Sequence, residues 1–139
     1  MAEDLERLEN KREELYRKLA EVGDFRRGII SLNYRKCGKK NCACAVEGHR
    51  GHPQYLWNTT LKGRSYAKGL RVGPELQKYM EEIDNRNKFE HLRKEIIETN
   101  EMICDIRPVK EISDISEMEV LKKNLQKAFM RKYKKKLTG

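Results

Sequence analysis

Cys37, Cys42 and Cys44, with His49 and His52 close behind, are the residues of this chain whose types and spacing could do chemistry. Thiolates and imidazoles are the donors zinc prefers, and the ion takes four of them in a tetrahedron. Gly38, Ala43, Gly48 and Gly51 are small enough to let a short loop turn around such an ion. The expected ligands are Cys37, Cys42, Cys44 and His52, with His49 as the reserve. Three thiolates and one imidazole close the coordination sphere, so the site is expected to be structural and the protein not an enzyme. A zinc deaminase would order its residues His-x-Glu and Cys-x-x-Cys, whereas this chain has Glu47-x-His49 and no Cys-x-x-Cys. A cysteine nucleophile would need a paired base, and His91 lies on a helical stretch without one. Cys104, at helical spacing beside Ile103, is expected to be buried packing.

The composition agrees with a cross-linked centre. Of 139 residues, 37% are apolar and 38% charged, which leaves a thin core and no deep cleft. A structural zinc contributes about 10 kcal/mol or more of folding free energy, enough to hold a small sheet that its own side chains would not. No stretch nears the roughly 20 apolar residues that span a bilayer, and the N-terminus lacks the basic and apolar regions of a signal peptide. The expected setting is cytoplasmic, with thiols reduced and no membrane partner.

The elements that must position the cluster follow from periodicity. Leu5, Leu8, Leu15, Leu19 and Val22 form a narrow helical stripe interrupted only by Arg12, so residues 1–24 are expected as a coiled-coil-like helix. Residues 25–73 are expected as a basic β module of three antiparallel strands: Phe25 to Lys36, Gln54 to Leu61 and Arg64 to Val72, the last two joined at Lys62-Gly63. Gly73-Pro74-Glu75 opens a helix that continues to about Ile106 and pairs with the first, residues 74–108. Its two apolar stripes fall out of register across Asp84 to Lys88, which predicts a kink, a stutter or a change of packing partner. Residues 109–139 are expected as a basic helix and tail, with Ser116 and Glu119 as a capping box. The fold class is therefore α+β: a small sheet with a zinc knuckle between two long pairing helices, plus a C-terminal helix.

The formal charge of +9 is unevenly placed. Residues 25–73 carry eleven basic side chains against the single acid Glu47, while 1–24 and 74–108 are each net acidic. Arg26, Arg27, Arg35, Lys36, Lys39, Lys40, Arg50, Lys62, Arg64, Lys68 and Arg71 surround the expected metal. Arg131, Lys132, Lys134, Lys135 and Lys136 end the chain with no acid after Glu119. Such clustering is the footprint of a polyanion-binding surface, here DNA or RNA. Tyr34, Tyr55, Trp57 and Tyr66 lie in the same strands and either stack on bases or fill the sheet's core.

The run from Tyr34 to Cys44, with Gly51-His-Pro-Gln-Tyr-Leu-Trp57, a Lys-Gly hairpin and a Pro-led helix, resembles a family of small bacterial, archaeal and phage proteins found near transposons and prophages. That family carries a Cys-Gly-Lys-x-x-Cys-x-Cys segment and a His-Gly-Pro-Tyr segment between helices. This chain has Gly-His-Pro in place of His-Gly-Pro, and the resemblance spans about residues 12–100. It implies a zinc-knuckle-like module in mobile-element biology and no established activity. The expected function is a non-catalytic, zinc-containing, nucleic-acid-binding accessory factor. The alternative is an adaptor or inhibitor that docks on a recombinase, nuclease or host defence complex through its helical hairpin, or dimerises through the same stripes.

Overall fold

The computed structural model describes residues 2–137, with side chains described through Tyr133. The elements run α1 (Ala2–Glu21), β1 (Ile29–Arg35), a 3-10 turn (Ala43–Ala45), β2 (His52–Leu61), β3 (Arg64–Leu70), α2 (Pro74–Ile106) and α3 (Ile115–Leu137). The class is α+β, as the residue pattern predicts. The chain divides into two compact units, Met1–Ile106 and Arg107–Gly139.

In the first unit, α1 runs antiparallel to the second half of α2. Leu8 and Leu15 of α1 are buried, as are Thr99 and Ile103 of α2, the last at 1% exposure. Arg12, the break in the α1 stripe, donates from Nη1 to Asn100 Oδ1 at 3.0 Å, and Asn100 Nδ2 donates to Tyr16 Oη at 3.2 Å. A polar residue in an apolar seam fixes which rungs of two helices meet. At the other end of α1, Asn85 Nδ2 of α2 donates to the Asp24 carbonyl at 2.9 Å.

The sheet has the order β1-β2-β3, antiparallel throughout. Its first pairing runs from Ile29 opposite Asn58 to Arg35 opposite His52, and its second from Tyr55 opposite Leu70 to Leu61 opposite Arg64. Lys62 (φ 51°) and Gly63 (φ 77°) both take left-handed conformations at the β2–β3 turn, the geometry of a tight two-residue hairpin. β1 begins at Ile29 and not at Phe25, because Phe25 leaves the strand path to stack on Phe89 of α2, centroids 4.8 Å apart.

α2 begins where Pro74 fixes the first turn. Glu75 Oε1 accepts from the Arg71 amide at 3.0 Å, which closes the link from β3. The offset between its stripes is a change of packing partner: the first half meets the sheet through Tyr79, the second meets α1 through Thr99 and Ile103.

In the second unit α3 starts at Ile115, and its cap is Asp114, not the expected Ser116. Asp114 Oδ1 accepts from the Ser116 amide at 2.9 Å, which puts Ser116 inside the first turn. No described helix is long and apolar enough to cross a membrane.

Candidate metal centre

The metal ligands predicted from spacing come together. One donor atom from each of Cys37, Cys42, Cys44 and His52 lies within 4.8 Å of every other. Cys37 Sγ is 3.4 Å from Cys44 Sγ, and Cys42 Sγ is 3.1 Å from His52 Nε2. Around a tetrahedral zinc, with Zn–S near 2.3 Å, sulfurs sit about 3.8 Å apart, so this set, spread over at most 4.8 Å, needs shifts of no more than about 1 Å to enclose one. The donors therefore fit a closed Cys3His ion site.

Two strand ends and a turn build it. Cys37 follows β1 by one residue beyond Lys36, and His52 opens β2, so the strands deliver two donors to the same end of the sheet. Between them the Cys42 amide donates to Lys39 O (3.3 Å) and the Ala45 amide to Cys42 O (3.0 Å), winding the loop so that Cys44 turns inward to 1% exposure. Gly51 is the tightest point. It sits at φ +100°, and a Cβ there would lie 2.5 Å from the Arg35 carbonyl carbon and 2.7 Å from the Lys36 nitrogen. His49 turns away from the cluster, its Nδ1 accepting from the Gly51 amide at 2.9 Å, which makes His52 the fourth donor.

Hydrogen bonding within the cluster shifts its four groups in different directions. Cys37 is lowered to about 6, chiefly by the Lys39 amide and then by Cys44 and His52. Cys42 is also lowered, first by the Cys44 amide. Cys44 accepts from the Cys37 amide, which favours its thiolate, but burial and the two neighbouring sulfurs outweigh this and raise it. His52 is raised by hydrogen bonds to Cys37 and Cys42. A divalent cation among these atoms would take over the charge that the imidazolium otherwise balances.

The basic residues divide by role. Arg26 is held within the fold: its guanidinium lies 3.8 Å from the Tyr79 ring centroid and 5.0 Å from that of Trp57, and its Nε bonds Glu82 Oε1 at 2.9 Å. Lys68 Nζ donates to the Tyr79 hydroxyl at 3.0 Å, which lowers Tyr79 and raises Lys68. Arg35, Lys36, Lys39, Lys40 and Arg50 are exposed at the metal end of the sheet, and Lys62 and Arg64 are exposed at the opposite, hairpin end. Among the described residues none of these seven forms an ion pair with an acid. Arg27 and Arg71 are exposed beside the start of β1 and the end of β3. Arg131 and Lys132 are exposed on α3, within the other unit, and the side chains of Lys134, Lys135 and Lys136 lie outside the described residues. Cys104 is exposed on α2 and takes no part in the cluster, correcting its expected burial: it lies about 100° around the helix from buried Ile103.

A three-stranded sheet closed at one end by a Cys3His loop, and followed directly by a long helix, defines a small α+β protein with a candidate metal knuckle. The chain belongs to the family described as a domain of unknown function, DUF6788, which matches residues 5–78. The match takes in α1 from Leu5 onward, all four donors, the whole sheet and the first turn of α2. No curated protein and no solved structure matches the chain.

Proposed function

We propose that this chain is a non-catalytic zinc protein that binds nucleic acid, with the knuckle loop and the hairpin tip contacting phosphates. The observation that carries the reading is the closed donor set beside the cations Arg35, Lys36, Lys39, Lys40 and Arg50, which pair with no acid among the described residues. Zinc suits three thiolates and an imidazole better than harder divalent ions do, and four protein donors leave it no position for substrate. Arg26 and Lys68 are excluded from the phosphate-binding set because the Tyr79 contacts hold them. Arg131, Lys132 and the three lysines after Tyr133 supply a second basic segment. An accessory role beside mobile genetic elements rests on the resemblance over Tyr34 to Trp57 alone.

Native mass spectrometry of the purified chain, with and without chelator, tests the zinc. Fluorescence anisotropy with labelled oligonucleotides over a salt series tests the partner. Six phosphate contacts give a log-log slope of about −5 on duplex DNA and about −4 on a single strand. A slope near zero overturns the nucleic-acid reading.

The alternative, docking on a larger protein through the helical hairpin, is favoured by one observation. Ile97 and Met102 of α2 are exposed at 43% and 53%, although the same helix buries Thr99 and Ile103. A pull-down that survives nuclease and high salt would select this reading instead.

A further inference from the structure

Alternation along the strands gives the sheet two unlike faces. The register puts Ile30, Leu32, Tyr34, Pro53, Tyr55, Trp57, Thr59, Leu61, Arg64, Tyr66, Lys68 and Leu70 on one, with every aromatic ring of the sheet, and Ile29, Ser31, Asn33, Leu56, Asn58, Ser65, Ala67 and Gly69 on the other. The aromatic face is covered only in part. Trp57 meets the edge of Tyr79 at 5.5 Å, and Leu70 is buried. Tyr34, Leu32 and Tyr66, however, are exposed at 46%, 48% and 49%.

The charges beside them fit one kind of occupant. The Arg50 guanidinium lies 5.7 Å from the Tyr34 ring centroid, and Arg64 precedes Tyr66 by two residues on the same strand face. Tyr34 is level with Pro53 and Tyr66 with Thr59, so the rings are separated by about 20 Å along β2 at 3.3 Å per residue. Tyr55 and Trp57 lie between them, Trp57 beneath Tyr79 and Arg26 of the packed junction. Two exposed rings, each with a cation beside it, match a flexible polyanion whose bases are unpaired. A duplex keeps its π-faces stacked inside and offers nothing for the rings to meet.

We propose that this face binds single-stranded nucleic acid, with bases stacking on Tyr34 and Tyr66 and the phosphates running past Arg50 and Arg64. The inference rests on the nucleic-acid reading above and adds the strand state and the residues that sense it.

The test uses the zinc-loaded full chain with a fluorescein-labelled mixed-sequence 12-mer, as DNA and as RNA, and with the matched duplex. The native chain is expected to bind the single strand at least tenfold more tightly than the duplex and to change its emission at Trp57, the one tryptophan. Tyr34→Ala with Tyr66→Ala is expected to weaken single-strand binding tenfold or more, with duplex affinity, salt slope and zinc content unchanged. Tyr34→Phe with Tyr66→Phe keeps the rings and is expected to stay within about threefold of native. Salt-dependent binding that ignores both alanines, or no preference for the single strand, overturns stacking and leaves the basic-surface reading standing. No salt-dependent binding to any of the three overturns both. If the face instead covers a second copy of the chain, the native protein runs as a dimer, the alanines make it monomeric and oligonucleotide affinity does not move, which also overturns the proposal. Should the alanine pair lose zinc, the native chain's strand preference and Trp57 signal decide.

Discussion

Arg35 and His52 face each other as the last pair of the β1–β2 ladder, so the residue that opens β2 is both a rung of the sheet and the fourth donor of the Cys3His cluster. Ion binding by that cluster would therefore be coupled to sheet pairing at that end of the fold.

Removing the ion should undo the sheet before the helices. Chelator treatment is expected to abolish the strand signal in far-UV circular dichroism and leave most of the helical signal, since α1 and α2 pack on each other away from the loop. His52→Ala should lower zinc affinity by tenfold or more, whereas His49→Ala, outside the donor set, should retain one zinc per chain. Metal content by native mass spectrometry separates the two variants, and equal zinc loss in both would mean that the donor assignment is wrong.

Gly51 is the position where backbone geometry and metal site are least separable. Gly51→Ala forces a side chain into the Arg35–Lys36 peptide at a left-handed φ, at a cost of about 1–3 kcal/mol, and pushes β1 away from the start of β2. Urea unfolding of the zinc-loaded protein should show that loss together with weaker zinc binding. A Gly48→Ala control, also left-handed but with open space around its Cβ, should cost less and spare the metal.

Glu82 gives the sheet-to-helix junction a defined acid dependence. Its carboxylate, 14% exposed, bonds Lys78 and Arg26 at 2.9 Å each, and these contacts hold it below the ordinary value of 4.5. A depressed carboxylate stabilises the fold above its unfolded value and loses that contribution as pH falls through its folded one. Glu82→Gln should therefore cost about 1–2 kcal/mol at pH 7 and progressively less below pH 4.5. The native-minus-variant difference in denaturant midpoint checks this, because acid loss of the metal is common to both chains and subtracts.

Arg12 and Asn100 should behave as a coupled pair. Each alanine substitution leaves the other partner half-buried without its 3.0 Å bond, so the double variant should be more stable than the sum of the singles predicts, by about 0.5–2 kcal/mol. A double-mutant cycle in urea measures the coupling, and additivity would assign Arg12 to solvent.

Much of this fold can be read from residue order, and the reasons are local. The candidate donor cluster is legible because metal-ligating thiols lie close together in a chain and small residues let the loop turn; Pro74 marks a helix start by its own ring; Lys62-Gly63 sits between two alternating stretches. Contacts between distant segments left weaker signals. Nothing in the run Phe25-Arg26-Arg27 tells that Phe25 stacks on Phe89 or that Arg26 turns inward over Tyr79, and composition alone groups Arg26 with the exposed cations. Residue order leaves the α3 cap ambiguous because Asp114 and Ser116 are both good caps and only the amide geometry distinguishes them. Cys104 shows the same limit: a neighbour of a buried isoleucine on a helix is not thereby buried.

The unbroken run of α2 has one more effect. Tyr79, against the sheet, and Ile103, against α1, are joined by uninterrupted helix, which at 1.5 Å per residue sets them about 36 Å apart. The helix works as a spacer of fixed reach between its contact with the sheet and its buried contact with α1.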